Sequence, residues 1–150
     1  MVVYIFLFKS IFFRGELSTN LKDDRLKYWT TTPNVLFIAK SKESGRILGF
    51  IGYKQITANT VEMKRLSVDP DFRGLKIGEY LVEFLIATAR KNGYDTMYLT
   101  TSTAQIAAQK LYEKFGFEFL HFLSMPLSAF GINFSYFCGL KRMAYLKRIK

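Results

Sequence analysis

One cysteine, one histidine and three prolines in 150 residues remove several chemistries at the outset. Cys138 has no partner for an internal disulfide, and no cysteine-rich zinc site can be built around it. Its simplest role is that of a small apolar filler. A Ser-His-Asp or Cys-His mechanism would have to use His121, the sole imidazole. No metal is expected. Acid is scarce as well: 12 Asp and Glu against 22 Lys and Arg give a formal charge of +10. That excess points to an anionic partner, and nucleic acid, an acidic membrane face and a polyphosphorylated cofactor all qualify. No recognition motif of a nucleic-acid-binding fold accompanies it, so no specific nucleic-acid binding is expected.

There is also no low-complexity linker and no internal repeat, and the length fits one domain. With 49% hydrophobic and 17% aromatic residues, the chain can bury a real core. The apolar run from Met1 to Phe13 is too short to span a bilayer, which takes about 20 residues. It lacks the basic start and small-residue cleavage site of a signal peptide. Three readings stand: an edge strand or core helix, an interfacial membrane anchor, or the remnant of a longer membrane segment. We therefore separate 1–13 from a main domain over 14–150. Lys141, Arg142, Lys147, Arg148 and Lys150 put much of the charge in the last ten residues. They read as a solvated tail, or as a membrane or nucleic-acid contact.

Periodicity predicts the elements. Ser18 or Thr19 caps a helix to about Trp29. Val35–Lys40, Arg46–Thr57 and Val61–Val68 read as an antiparallel meander. Ile77–Asn92 reads as an amphipathic helix with Ile77, Leu81, Leu85 and Ala89 on one face and Gly93 as its stop. Thr96–Thr101 is a strand, Ala104–Phe115 a helix capped by Ser102 or Thr103 and closed by Gly116. Phe117–Leu123 and Phe134–Leu140 are the expected last strands. The fold class is α/β, a mixed sheet with helices packed on it.

The chemistry concentrates after the third strand of that meander. There the chain enters a tight turn with Arg73 and Gly74, and a helix begins near Ile77-Gly78. A helix N-terminus offers unpaired N–H groups and a positive dipole end, which suits a pyrophosphate. Arg73 and Lys76 add charge at the same place. An ordinary strand–turn–helix connection is the alternative. The stretch is neither a Walker loop nor a G-x-G-x-x-G loop.

Leu66-Ser67-Val68 followed by Arg73-Gly74-Leu75-Lys76-Ile77-Gly78 resembles the acetyl-CoA loop of the Gcn5-related N-acetyltransferases, R/Q-x-x-G-x-G/A after an L-x-V strand. Lys76 stands where that family usually has its middle glycine. Leu111-Tyr112-Glu113-Lys114-Phe115-Gly116-Phe117 is similar to the family's L-Y-x-x-x-G-F block, in the right order and separated by a helix and a strand. EMKRLSVDPDFRGLKIG and TSTAQIAAQKLYEKFGF look most like the camello-like, or N-acetyltransferase-8-like, branch. The likeness covers about residues 35–123; the family's first strand and first helix are not recognisable here.

The resemblance implies acetyl-CoA as cosubstrate and an amine acceptor, such as a cysteine S-conjugate or a protein lysine. It implies that Leu66, Ser67 and Val68 hold the pantetheine arm, with the Val68 N–H on the thioester carbonyl. Arg73, Gly74, Leu75, Lys76, Ile77 and Gly78 would take the pyrophosphate, and Tyr112 would protonate the thiolate. Tyr112 as an interface packing residue is the plain alternative. Glu62, read in strand alternation with Lys64 and Leu66, is the candidate base; a surface ion pair is its alternative. His121 either lines the acceptor site or satisfies a local hydrogen bond, and the aromatic stretch Phe130–Phe137 either lines the acceptor pocket or packs in a strand core. The branch also implies membrane association of the endoplasmic-reticulum type, against a cytoplasmic location. A non-catalytic acyl-CoA-binding module and a charge-driven surface-binding protein are the competing functions.

Overall fold

Two short turns set the first half of the sheet. At the first, the Gly45 N–H donates to the Ser41 carbonyl at 2.9 Å and Gly45 takes a φ of 67°, a left-handed value that glycine adopts without steric cost. At the second, the Ile56 N–H donates to the Thr60 carbonyl at 2.9 Å. The computed structural model describes the backbone of residues 3–7 and all of residues 33–123 and 141–150. Its strands are β1 (Val3–Leu7), β2 (Val35–Ser41), β3 (Ile47–Gln55), β4 (Thr60–Val68), β5 (Thr96–Ser102), β6 (Glu118–Leu123) and β7 (Arg142–Arg148). The helices are α1 (Ile77–Lys91) and α2 (Ile106–Lys114). They form one seven-stranded sheet in the order β1-β2-β3-β4-β5-β7-β6.

The meander β2–β3–β4 is antiparallel, as expected. The crossover through α1 makes β5 parallel to β4, since such a connection returns the chain in the same direction. On α1, Ile77, Leu81, Leu85 and Ala89 are buried at 2% exposure or less. They pack with Tyr53, Val61, Met63, Met97 and Leu99 in the main core. α2 lies on that same face: its Lys114 pairs with Glu79 of α1 at 2.7 Å, and Leu111 packs into the core. Its first turn comes two residues later than the sequence indicated. Gln105, rather than Ser102 or Thr103, is the cap residue, and its side chain accepts from the Ser102 N–H at 3.2 Å.

Three findings bear on the picture drawn from sequence, and the first agrees with the edge-strand reading of the apolar run. A first strand is present: Val3–Leu7, inside the apolar run, pairs antiparallel with β2 as the sheet's edge. No helix among the described residues is long and apolar enough to cross a membrane. The basic C-terminus is not a solvated tail. Arg142–Arg148 forms β7, inserted between β5 and β6, with Ala144, Tyr145 and Ile149 fully buried. Counting charge concealed a strand whose apolar residues fill the sheet while its cations reach out along their aliphatic stems. The helix expected from Ser18 or Thr19 to Trp29, the strand expected over Phe134–Leu140, the aromatic stretch Phe130–Phe137 and Cys138 lie outside the described residues.

Candidate active site

β4 and β5 pair only from Thr60–Thr96 to Met63–Leu99, and beyond that rung they part. The parting coincides with a bulge. Against β3 the register of β4 slips by one residue between the pairs Gly52–Lys64 and Phe50–Ser67. Arg65 absorbs the extra residue with a φ of 62°. A bulge bends its strand and increases its twist, which carries the end of β4 away from β5. A left-handed conformation costs a non-glycine residue about 1–2 kcal/mol, and such strain gathers at sites of function. The splay encloses a cleft of about 400 Å³, with Leu66 and Ser67 on one wall and Thr100 and Thr101 on the other. Gln105 and Tyr112 enter it from α2.

The direction of the β4 backbone in this cleft can be read from its neighbours. The Asp69 N–H donates to the Leu48 carbonyl of β3 at 2.9 Å. A Cβ built on Gly49 of β3 would lie 2.5 Å from the Ser67 carbonyl oxygen. Ser67 therefore turns its carbonyl to β3, and alternation turns the N–H and C=O groups of Leu66 and Val68 the other way. They face the splay, where β5 no longer pairs with them. The bulge also overturns one expectation. Leu66 does not share a face with Glu62: Leu66 and Val68 pack against the core with Val61 and Met63, whereas Glu62 lies on the opposite face.

The glycine-bearing stretch begins in a 3-10 turn, Pro70–Phe72, capped by the Asp69 carboxylate, which accepts from the Asp71 N–H at 3.0 Å. Arg46 ties this turn down. Its guanidinium bonds Asp69 at 3.1 Å and Asp71 at 2.5 Å and lies 4.9 Å from the centre of the Phe72 ring. Nothing in the sequence singles out Arg46, whose partners are more than 20 residues away. Arg73, Gly74, Leu75 and Lys76 are exposed. Gly74 has a φ of 80° and Lys76 one of 59°. Lys76 is thus the left-handed N-cap of α1, in the conformation that a glycine would take, and its side chain caps nothing. Lys76→Gly is expected to raise stability by about 1 kcal/mol through relief of that strain, read as a higher urea midpoint at unchanged slope.

Tyr112 is buried to 8% exposure, with ring centres at 6.0 Å from Phe117 and 6.4 Å from Tyr145. Burial pushes its phenol above the usual tyrosine range. Its ring comes from the helix side of the sheet. Glu62, 12% exposed, lies on the other side and pairs with Lys64 at 2.6 Å. Tyr112 and Lys64 line the cleft; Glu62 pairs with Tyr98, one rung below the last registered pair of β4 and β5. His121 sits on the exposed strand β6, away from the cleft lining. Among the described residues no group of His, Cys, Asp and Glu is gathered to hold a metal.

Comparison with known proteins agrees with this architecture. Residues 5–117 match the model of the acetyltransferase (GNAT) family. The chain is 34% identical over 103 residues to N-acetylaspartate synthetase of Danio rerio, covering 68% of this chain and 36% of that protein. It is 29% identical over 130 residues to N-acetyltransferase 8B of Homo sapiens, covering 80% and 56%. Likeness to probable N-acetyltransferase camello of Xenopus tropicalis is 33% over 111 residues, covering 71% and 50%. The chain therefore spans between about a third and a little over half of these relatives' lengths. Among solved structures, a GNAT-family acetyltransferase of Staphylococcus aureus superposes with a TM-score of 0.73 at 20% identity, over 99% of this chain and 100% of that one. A putative streptothricin acetyltransferase of Bacillus anthracis, in complex with acetyl coenzyme A, superposes with a TM-score of 0.70 at 24% identity, over 85% and 69%. At these identities the structural likeness speaks for the fold.

Proposed function

Since the chain belongs to the GNAT acetyltransferase family, we propose that it moves an acetyl group from acetyl-CoA to a primary amine. The observation that carries this reading is the splay: it leaves the backbone groups of Leu66 and Val68 facing a cleft that Tyr112 enters. The chain's residues fit the cosubstrate in kind, with unpaired strand edges for an amide-bearing arm and two exposed cations beside a helix N-terminus for phosphates. When bound, acetyl-CoA supplies an acyl thioester as electrophile.

Leu66 and Val68 hold the pantetheine arm as an added strand, with Ser67 between them. The Val68 N–H is the fixed donor toward the thioester carbonyl oxygen, an oxyanion-type contact. Arg73, Gly74, Leu75, Lys76, Ile77 and Gly78 cradle the pyrophosphate. Glu62 takes a proton from the acceptor ammonium, directly or through water. The free amine then forms its C–N bond as the C–S bond breaks; Tyr112 gives its proton to the departing thiolate, the nitrogen sheds its second proton to solvent as the amide forms, and the phenolate is reprotonated from solvent. Acceptors of this reading are small-molecule amines, cysteine S-conjugates among them, or protein lysines.

Isothermal titration with acetyl-CoA tests the reading, with Gly78→Glu as control. A Cβ at Gly78 meets only Leu111 and Val68 side-chain atoms at 3.6 Å, an ordinary contact. A carboxylate in the first turn also favours the helix. The control therefore folds but repels the phosphates, and its binding is expected to vanish while the wild type binds. A folded wild type that binds no acetyl-CoA would sink the proposal. Binding without transfer to any amine would leave a non-catalytic acyl-CoA-binding module.

A further inference from the structure

Taken alone, the phosphate-binding segment has the wrong sign for its ligand. From Asp69 to Glu79 the chain carries three carboxylates, Asp69, Asp71 and Glu79, against two cations, Arg73 and Lys76. Asp71 is two residues from Arg73, so at most about 7 Å of chain separates them. That is within the screening length of about 8 Å at physiological salt. The fold answers each of these carboxylates with a cation from elsewhere. Arg46, in the turn between β2 and β3, sets one guanidinium against both Asp69 at 3.1 Å and Asp71 at 2.5 Å. The same guanidinium lies over the Phe72 ring, 4.9 Å from its centre. Lys114 of α2 holds Glu79 at 2.7 Å. Arg73 and Lys76 form no ion pair among the described residues, so their charge stays available. The cradle is electropositive only because two distant residues cover its acids.

We propose that Arg46 sets the affinity of this site for the phosphates of its cosubstrate by neutralising Asp69 and Asp71. This rests on the acetyl-CoA reading above. Arg46 acts through the two carboxylates and not on a reacting atom, so it is a positioning residue. The same pairs also tie the turn down; what they contribute to binding is charge. Without Arg46, two bare carboxylates precede Arg73 and repel an incoming diphosphate. The Arg46 and Asp71 side chains are 51% and 66% exposed, and exposed ion pairs contribute little to stability. Loss of Arg46 therefore falls on binding more than on the fold.

Isothermal titration of the full chain with acetyl-CoA tests this in low salt and again at about 1 M salt, where the screening length is about 3 Å. Arg46→Gln should raise Kd about fivefold or more in low salt, and the difference should shrink in high salt. Arg46→Lys keeps the charge and should recover most of the loss. Asp69→Asn combined with Asp71→Asn should bind at least as tightly as the wild type. The amide oxygen introduced at position 69 can still cap the 3-10 turn. Adding Arg46→Gln to that pair should leave binding no weaker than wild type, which a tether could not do. Wild-type affinity in Arg46→Gln would overturn the inference. So would a loss of affinity in the double asparagine variant, or its failure to rescue Arg46→Gln, because either makes Arg46 a mooring. Should Arg46→Gln lose its fold, the double asparagine variant still decides, since binding weaker than wild type refutes the charge role. A wild type that binds no acetyl-CoA sinks the cosubstrate reading and this inference together. A wild type that binds, with Arg46→Gln unaffected, sinks this inference alone.

Discussion

Replacing Tyr112 with phenylalanine is expected to lower kcat about 100-fold or more, the range of a lost general acid, and to leave acetyl-CoA affinity unchanged. The separation of effects follows from the surroundings of the ring. Its contacts with Phe117 and Tyr145 are ring contacts, which phenylalanine keeps. Its hydroxyl makes no hydrogen bond with the described residues, so none is lost from the fold, and the residue lines the cleft. The thermal midpoint should therefore move little. The pH profile supplies a second reading. Desolvation disfavours the phenolate, so Tyr112 stays protonated past the ordinary value of about 10. The wild-type rate should rise with pH as the acceptor amine loses its proton, and fall only beyond the usual tyrosine range. In the variant the rise should persist at a lower level and the alkaline fall should disappear. An unchanged kcat would make Tyr112 a packing residue.

Gly49→Ala is expected to weaken both the fold and acetyl-CoA binding. The added Cβ would stand 2.5 Å from the Ser67 carbonyl oxygen, 3.2 Å from Leu81 Cδ1 and 3.3 Å from Val68 Cα. Two of those three neighbours are backbone, and α1 presses the third against the site, so no flexible side-chain end can yield. Relief requires β4 to move away from β3 at Ser67 and Val68. Overpacking of this kind costs about 1–3 kcal/mol. The same movement shifts the Leu66 and Val68 groups that face the splay, so the acetyl-CoA Kd should rise at least about tenfold, equivalent to 1.4 kcal/mol. Gly78→Ala is the matched comparison. Its Cβ finds ordinary contacts at 3.6 Å, and alanine improves helix propensity by up to about 1 kcal/mol. Calorimetry and chemical denaturation on both variants decide the point. A Gly49→Ala protein as stable and as tight-binding as the wild type would show that the β3–β4 spacing does not govern the site.

The sequence by itself determined the elements whose signals are local. The 3.6-residue spacing of Ile77, Leu81, Leu85 and Ala89 foretold the buried face of α1, and Gly93 and Gly116 foretold the ends of both helices, with φ values of 86° and 72°. The meander was legible from turn residues, and the family from two short blocks at the right separation. What tertiary structure alone decided depends on partners distant in the chain. The bulge at Arg65 reversed the alternation on which Leu66 had been grouped with Glu62, because register against β3 is invisible in a single strand's pattern. Arg46 was unreadable because its role exists only where Asp69, Asp71 and Phe72 come to meet it. Arg142 looked like part of a charged tail until β7 entered the sheet between β5 and β6 and brought it to Thr100. Local sequence sets which face of an element is apolar; only pairing between strands sets which groups remain unpaired at the cleft.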